Sequence, residues 1–191
     1  NRVALSPIQC LALQQRYPQI SIIVESSPTR CFSDASYEEL GIPVVENLVT
    51  ADIILNIKEL PADSLLAHKT YFFFSHTIKK QPYNRKLLQA ILEKNIELYD
   101  HETIVDEKNT RLIGFGRYAG IVGAYNGIRA FGIKYDLFTL AKAETLNNQE
   151  ELIVRLKRQI LPNIKIVLTG HGKVGMGAKE MLDGMKINQV A

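Results

Sequence analysis

Ile164-Lys-Ile-Val-Leu168-Thr-Gly170-His-Gly172-Lys-Val-Gly175-Met-Gly-Ala-Lys-Glu-Met-Leu182 is the stretch whose reading decides the fold. An apolar, β-branched run, Ile164 to Leu168, feeds a Gly-x-Gly-x-x-Gly pattern, and a helix is expected to open directly after it. In that context the glycines read as a cradle for a dinucleotide pyrophosphate. Gly170 is expected to allow the tight turn and Gly172 the close approach of backbone to phosphate. Gly175 is expected to let the helix lie near the strand, with the first helical N–H groups turned toward the anion. The cofactor implied is NAD or NADP. One strand–helix unit cannot hold a dinucleotide, so the 191 residues read as the truncated front part of a larger oxidoreductase.

Upstream, strand-like and helix-like segments alternate. Ser6 to Tyr17 reads as a helix, with Ser6 as N-cap and Pro7 in the first turn. Ser21–Glu25, Val44–Val45, Ile53–Ile57, Thr70–Ser75, Ile96–Tyr99 and Arg111–Phe115 read as strands, and Ile53–Ile57 is apolar enough to be covered on both faces. Short helices are expected at Ser36–Leu40, closed by Gly41, and at Ser64–His68. A longer one is expected at Asn84–Lys94, where Leu87, Leu88, Ile91 and Leu92 recur at helical spacing. This alternation implies a parallel sheet wrapped by helices. The fold class expected is α/β: a flavodoxin-like parallel-sheet domain over residues 1–117, carrying substrate and catalysis, then the start of a Rossmann domain over 118–191. The second part opens on a glycine-rich helix, Ala119–Phe131, followed by a linker over 136–148 and a helix from Gln149 to Ile160. Gly120, Gly123, Ala124 and Gly127 share one side of the first helix. Each glycine there costs about 1 kcal/mol relative to alanine, so close packing against another helix is expected, within a subunit or in a homo-oligomer.

Composition narrows the function classes. With 46% hydrophobic and 23% charged residues and a net charge of +3, the chain resembles an ordinary globular protein. Its basic residues are scattered, which argues against nucleic acid as a partner. No apolar run approaches the ~20 residues of a membrane span. Cys10 and Cys31 lack metal or redox spacing, no His/Cys pair has ligand spacing, and so no metal is expected and the default location is cytoplasmic.

Three segments place ionisable residues directly after strands, where open α/β sheets build their sites. They are Asn56-Ile-Lys58-Glu59, Ser75-His76-Thr-Ile-Lys79 and Tyr99-Asp-His-Glu102. Singly, each of these side chains has an ordinary solvated or structural reading. Repetition at one sheet edge is what suggests convergence. Lys58, partly desolvated and near a cation such as Lys79, would suit a general base, opposed by Glu59 and Glu102. His76 suits proton exchange with water. Arg2 and Arg111 can each clamp a carboxylate with a planar fork. His68, His101 and His171 are expected to be bystanders.

Those segments, together with Arg2-Val-Ala-Leu-Ser-Pro7, Phe73-Phe-Ser-His76 and Arg111-Leu-Ile-Gly-Phe-Gly116, resemble the saccharopine dehydrogenases. More broadly they resemble the alanine dehydrogenase and transhydrogenase N-terminal superfamily, including the lysine–ketoglutarate reductase half of a bifunctional lysine-degrading enzyme. The resemblance implies two α/β domains and NAD(P)-linked interconversion of saccharopine with lysine and 2-oxoglutarate, so the partner is a small amino acid or 2-oxo acid. It implies that Lys58 takes the proton of the secondary amine and His76 acts as acid–base when water attacks the imine. Glu102 and Glu59 would adjust Lys58, Lys79 would line the site, and Arg2 and Arg111 would hold substrate carboxylates. Alanine dehydrogenase stays open as an alternative, and so does a non-catalytic ligand-binding module. The His76-x-x-Lys79 pair and the Glu102 segment favour the larger, multi-carboxylate substrate.

Overall fold

The computed structural model of the chain describes residues 2–185. It divides into two compact units, the first ending at Gly114 and the second beginning at Phe115. The last stretch of the expected second domain, 186–191, lies outside the described residues.

The first unit opens on α1 (Pro7–Arg16). Ser6 Oγ accepts from the Gln9 N–H while the Gln9 side chain accepts from the Ser6 N–H, a capping box that satisfies two otherwise orphaned donors. After α1 come β1 (Val24–Glu25), α2 (Asp34–Glu38) and β2 (Val44–Val45), and the two short strands pair in parallel. Their small core is Cys10, Tyr37 and Ile42. A second sheet follows, of parallel strands β3 (Ile53–Lys58), β4 (Thr70–Phe74) and β5 (Glu97–Asp100) in that order. Helix α3 (Arg85–Glu93) is the crossover from β4 to β5, as parallel pairing requires. Its apolar stripe buries Leu87, Ala90 and Ile91 against Ile54, Tyr71 and Phe73.

Several sequence expectations are corrected here. The expected strand at 21–25 shrinks to Val24–Glu25. Ser64–His68 is not a helix: a 3-10 turn covers Ala62–Ser64, and His68 has φ +59°, which no right-handed helix allows. Arg111–Phe115 forms no strand beyond one antiparallel bridge between Val105 and Arg111. Nor is β3 covered on both faces. Ile54 packs inward, but Ile53 and Leu55 are 57% and 46% exposed, because α3 packs only on the other side of the sheet.

The second unit holds α4 (Gly116–Lys134), α5 (Gln149–Lys157) and α6 (Lys173–Gly184). Helices α4 and α6 cross with their backbones almost touching. A Cβ on Gly120 would lie 1.9 Å from the Val174 carbonyl oxygen, and one on Gly177 would lie 2.0 Å from that of Arg117. Gly123 and Gly127 have nothing within 4 Å of such a Cβ, so close packing explains only part of the glycine stripe. The expected linker over 136–148 is pinned to α4: Leu140 is buried, Arg129 donates to its carbonyl, and the Tyr125 hydroxyl donates to that of Ala141. Residues 164–168 carry no strand pairing among the described residues, correcting the expected strand. A strand exists only against a neighbour. Here Val167 is 84% exposed, while Ile166 and Leu168 border an apolar groove of about 720 Å³ beside Gly123 and Gly127.

Candidate active site

Parallel pairing in the order β3-β4-β5 brings the C-terminal ends of the three strands to one edge. Lys58 closes β3 opposite Phe74, the last residue of β4. His76 comes two residues after Phe74, and Glu102 two residues after Asp100, the last of β5.

Glu102 is the hub. Its side chain is buried, and its Oε1 lies 2.6 Å from Arg111 and 3.2 Å from Lys79 Nζ. Oε2 lies 3.3 Å from His76 Nδ1. Burial alone would push this carboxyl up, but hydrogen bonds from Lys79, Arg111 and His76 outweigh it and hold the group below the usual carboxylate range. Because a carboxylate only accepts, the proton of the neutral imidazole sits on Nδ1, leaving Nε2 as the nitrogen for proton exchange. A cavity of about 450 Å³ opens beside the hub, lined by Ile78, Lys79, Glu102, Thr103, Val105 and Arg111. It is smaller than the apolar groove of the second unit, but the groove is lined by none of the clustered polar groups.

His76 occupies the left-handed region, φ +57° and ψ 8°. For a residue with a Cβ this costs about 1–2 kcal/mol, and such strain persists only where surroundings impose it. Four polar side chains do so. Asn84 donates to the His76 carbonyl (3.2 Å), the Ser75 hydroxyl bonds to the Asp100 carboxylate and to Thr77, and Asp100 accepts from the Glu102 N–H (2.8 Å). Sequence reasoning missed Ser75, Asn84 and Asp100. One signal was available: Asp two residues before Glu102 is an Asx-turn pattern.

The structure thus joins His76, Lys79, Glu102 and Arg111. Lys58 stands at the same sheet edge but is exposed and makes no side-chain hydrogen bond or ion pair among the described residues, so Glu102 reaches His76 rather than Lys58. Glu59 follows Lys58 and carries one buried carboxylate oxygen without a partner. Arg111 commits part of its fork to Glu102. Arg2 lies exposed before α1. His101 turns inward: its Nε2 meets the Asn56 carbonyl at 3.1 Å and its ring packs edge-on to Phe74.

In the second unit Gly170 has φ +90°, and Gly172 is the N-cap of α6. A Cβ on Gly175 would collide with the Gly170 carbonyl at 2.2 Å, whereas one on Gly170 or Gly172 would meet nothing within 4 Å. A loop pulled tight at one glycine and open at two, ahead of a helix of 12 residues, fits a pyrophosphate.

Parallel sheets, a polar sheet edge and a glycine loop ahead of a helix define the class of α/β proteins. The profile of the alanine dehydrogenase/PNT N-terminal domain matches residues 1–122, and the chain belongs to that family. Alpha-aminoadipic semialdehyde synthase of Arabidopsis thaliana is 32% identical over 204 residues, covering 95% of this chain and 19% of the relative. The mitochondrial synthase of Mus musculus is 29% identical, covering 88% and 20%. Saccharopine dehydrogenase [NAD(+), L-lysine-forming] of Yarrowia lipolytica is 28% identical, covering 95% and 53%. The chain therefore spans about a fifth of the synthases and about half of the dehydrogenase. A solved L-alanine dehydrogenase shares the fold, with a TM-score of 0.59 at 19% identity over 96% of this chain and 48% of the other. The expected cytoplasmic location is not shown by these relatives, one of which is a mitochondrial protein. Among the described residues, no helix is long and apolar enough to cross a membrane.

Proposed function

We propose that this chain carries the proton-handling part of an NAD(P)-dependent oxidoreductase acting on the CH–NH bond of an amino acid, with saccharopine as the substrate. The observation that carries the proposal is the buried Glu102 carboxylate, shared by His76, Lys79 and Arg111 at the C-terminal edge of a parallel sheet. A carboxylate that fixes one imidazole nitrogen while two cations balance its charge is suited to general acid–base work. The saccharopine dehydrogenases among its relatives support the substrate.

Gly170, Gly172 and the N-terminus of α6 would hold the cofactor pyrophosphate. NAD or NADP, when bound, supplies the two-electron acceptor. Lys58, at the end of β3, takes the proton of the secondary amine. His76 then takes a proton through Nε2 from the water that adds to the resulting imine, and returns it as the C–N bond breaks to give lysine and 2-oxoglutarate. The reverse sequence is the reductive condensation. Lys79 and Arg111 attract substrate carboxylates by their charge, and Glu59 tempers the basicity of its neighbour Lys58.

The test is product analysis with full-length protein. Saccharopine with NAD or NADP is expected to yield lysine, 2-oxoglutarate and reduced cofactor in equal amounts, and L-alanine to yield none. Turnover of alanine without saccharopine would overturn the substrate.

A further inference from the structure

The buried polar residues beneath the site carry an inference that rests on the reading of His76 as the acid–base group. We propose that Ser75, Asp100 and Asn84 are positioning residues that hold the His76 imidazole against Glu102.

Hydrogen-bond stoichiometry gives the network a direction. A serine hydroxyl has one proton to give and two lone pairs to fill. Ser75 Oγ lies 2.5 Å from Asp100 Oδ2, 2.7 Å from Thr77 Oγ1 and 3.1 Å from the Thr77 N–H. Asp100 uses Oδ1 to accept from the Glu102 N–H and Oδ2 to accept from Ser75. With the Ser75 proton given to Asp100, the Thr77 hydroxyl must donate to Ser75 Oγ. The serine is then saturated: two bonds in from Thr77, one out to Asp100. Ser75 is fully buried, and Asp100 and Asn84 are nearly so, leaving water little access to replace a lost partner.

The consequence falls on His76. It lies between Ser75 and Thr77, whose N–H and hydroxyl both bond to the Ser75 Oγ, and its own carbonyl accepts from Asn84 Nδ2. These bonds impose the left-handed turn that aims the ring at Glu102. Asp100 carries the same chain of bonds into the backbone of Glu102. One buried network therefore fixes both partners of the His76–Glu102 contact.

Ser75→Ala cuts the network at its centre. In full-length protein, kcat with saccharopine is expected to fall about tenfold to a hundredfold, the scale on which ~1 Å of misplacement costs rate. The KM for NAD is expected to stay within about twofold, since such positioning acts on the reacting groups rather than on nucleotide binding. The His76 ring signals in a nitrogen-correlated NMR spectrum, identified by their loss in His76→Asn, are expected to move without substrate present. Unchanged ring signals with unchanged kcat would overturn the inference, as would an equal loss in nucleotide affinity. Should Ser75→Ala fail to fold, Asn84→Ala provides the same comparison, because it leaves the Ser75–Asp100 link in place. Collapse of both would assign these residues to the core and end their role at His76. If unmodified protein does not turn over saccharopine, the functional reading fails, and the ring signals alone decide the positioning role.

Discussion

At residue 102 a buried carboxylate meets two cations and an imidazole, and burial and partners pull its proton affinity in opposite directions. The partners win, so the folded-state value lies below the ordinary one. Such a group stabilises the fold fully above the unfolded carboxyl value of ~4.3, and the contribution is lost as pH falls through the lower folded value. Glu102→Gln is therefore expected to differ most from the parent near neutrality, with the gap closing below about pH 4. Urea unfolding across that range measures it, and a gap that widens toward acid would refute the linkage. Lys58, His76, Lys79 and Glu102 could be picked out from the sequence because chemistry-bearing side chains followed three apolar runs in succession, and Arg111 only as a guanidinium able to clamp a carboxylate. Ser75, Asn84 and Asp100 could not: serine, asparagine and aspartate look alike in a turn and in a buried network, and only burial tells them apart.

Helices and strands show what periodicity can resolve. The α3 stripe of Leu87 and Ile91 and the β-branched run of β3 could be read because each pattern belongs to one geometry. Residues 164–168 have the same apolar character, yet a strand is a property of pairs of segments, and no partner is described for this one. The glycine stripe of α4 was a sound clue with two meanings. At Gly120 an added methyl meets Val174 backbone, which cannot move aside, so Gly120→Ala is expected to destabilise by about 1–3 kcal/mol. At Gly123 the methyl meets nothing, so Gly123→Ala is expected to stabilise by up to about 1 kcal/mol through helix propensity. Denaturant midpoints of the two variants measure the contrast, and equal shifts would contradict the crossing geometry.

Across the whole molecule, alternating segments were enough to imply a parallel α/β architecture, and the shared fold of an L-alanine dehydrogenase agrees with it. The division at Gly114 is harder to read from sequence, since Arg111–Phe115 looks like one more strand and instead forms a single bridge. The proposed function distributes labour over the two units: proton transfer belongs to the sheet edge of the first, nucleotide binding to the glycine loop of the second. Lys58→Met in full-length protein tests that division most directly, with saccharopine turnover and the dissociation constant for NAD measured side by side. Removing a general base is expected to lower kcat by a factor of about 10² to 10⁴ while nucleotide affinity is kept. Near-normal turnover, or a loss of affinity as large as the loss of rate, would contradict the account.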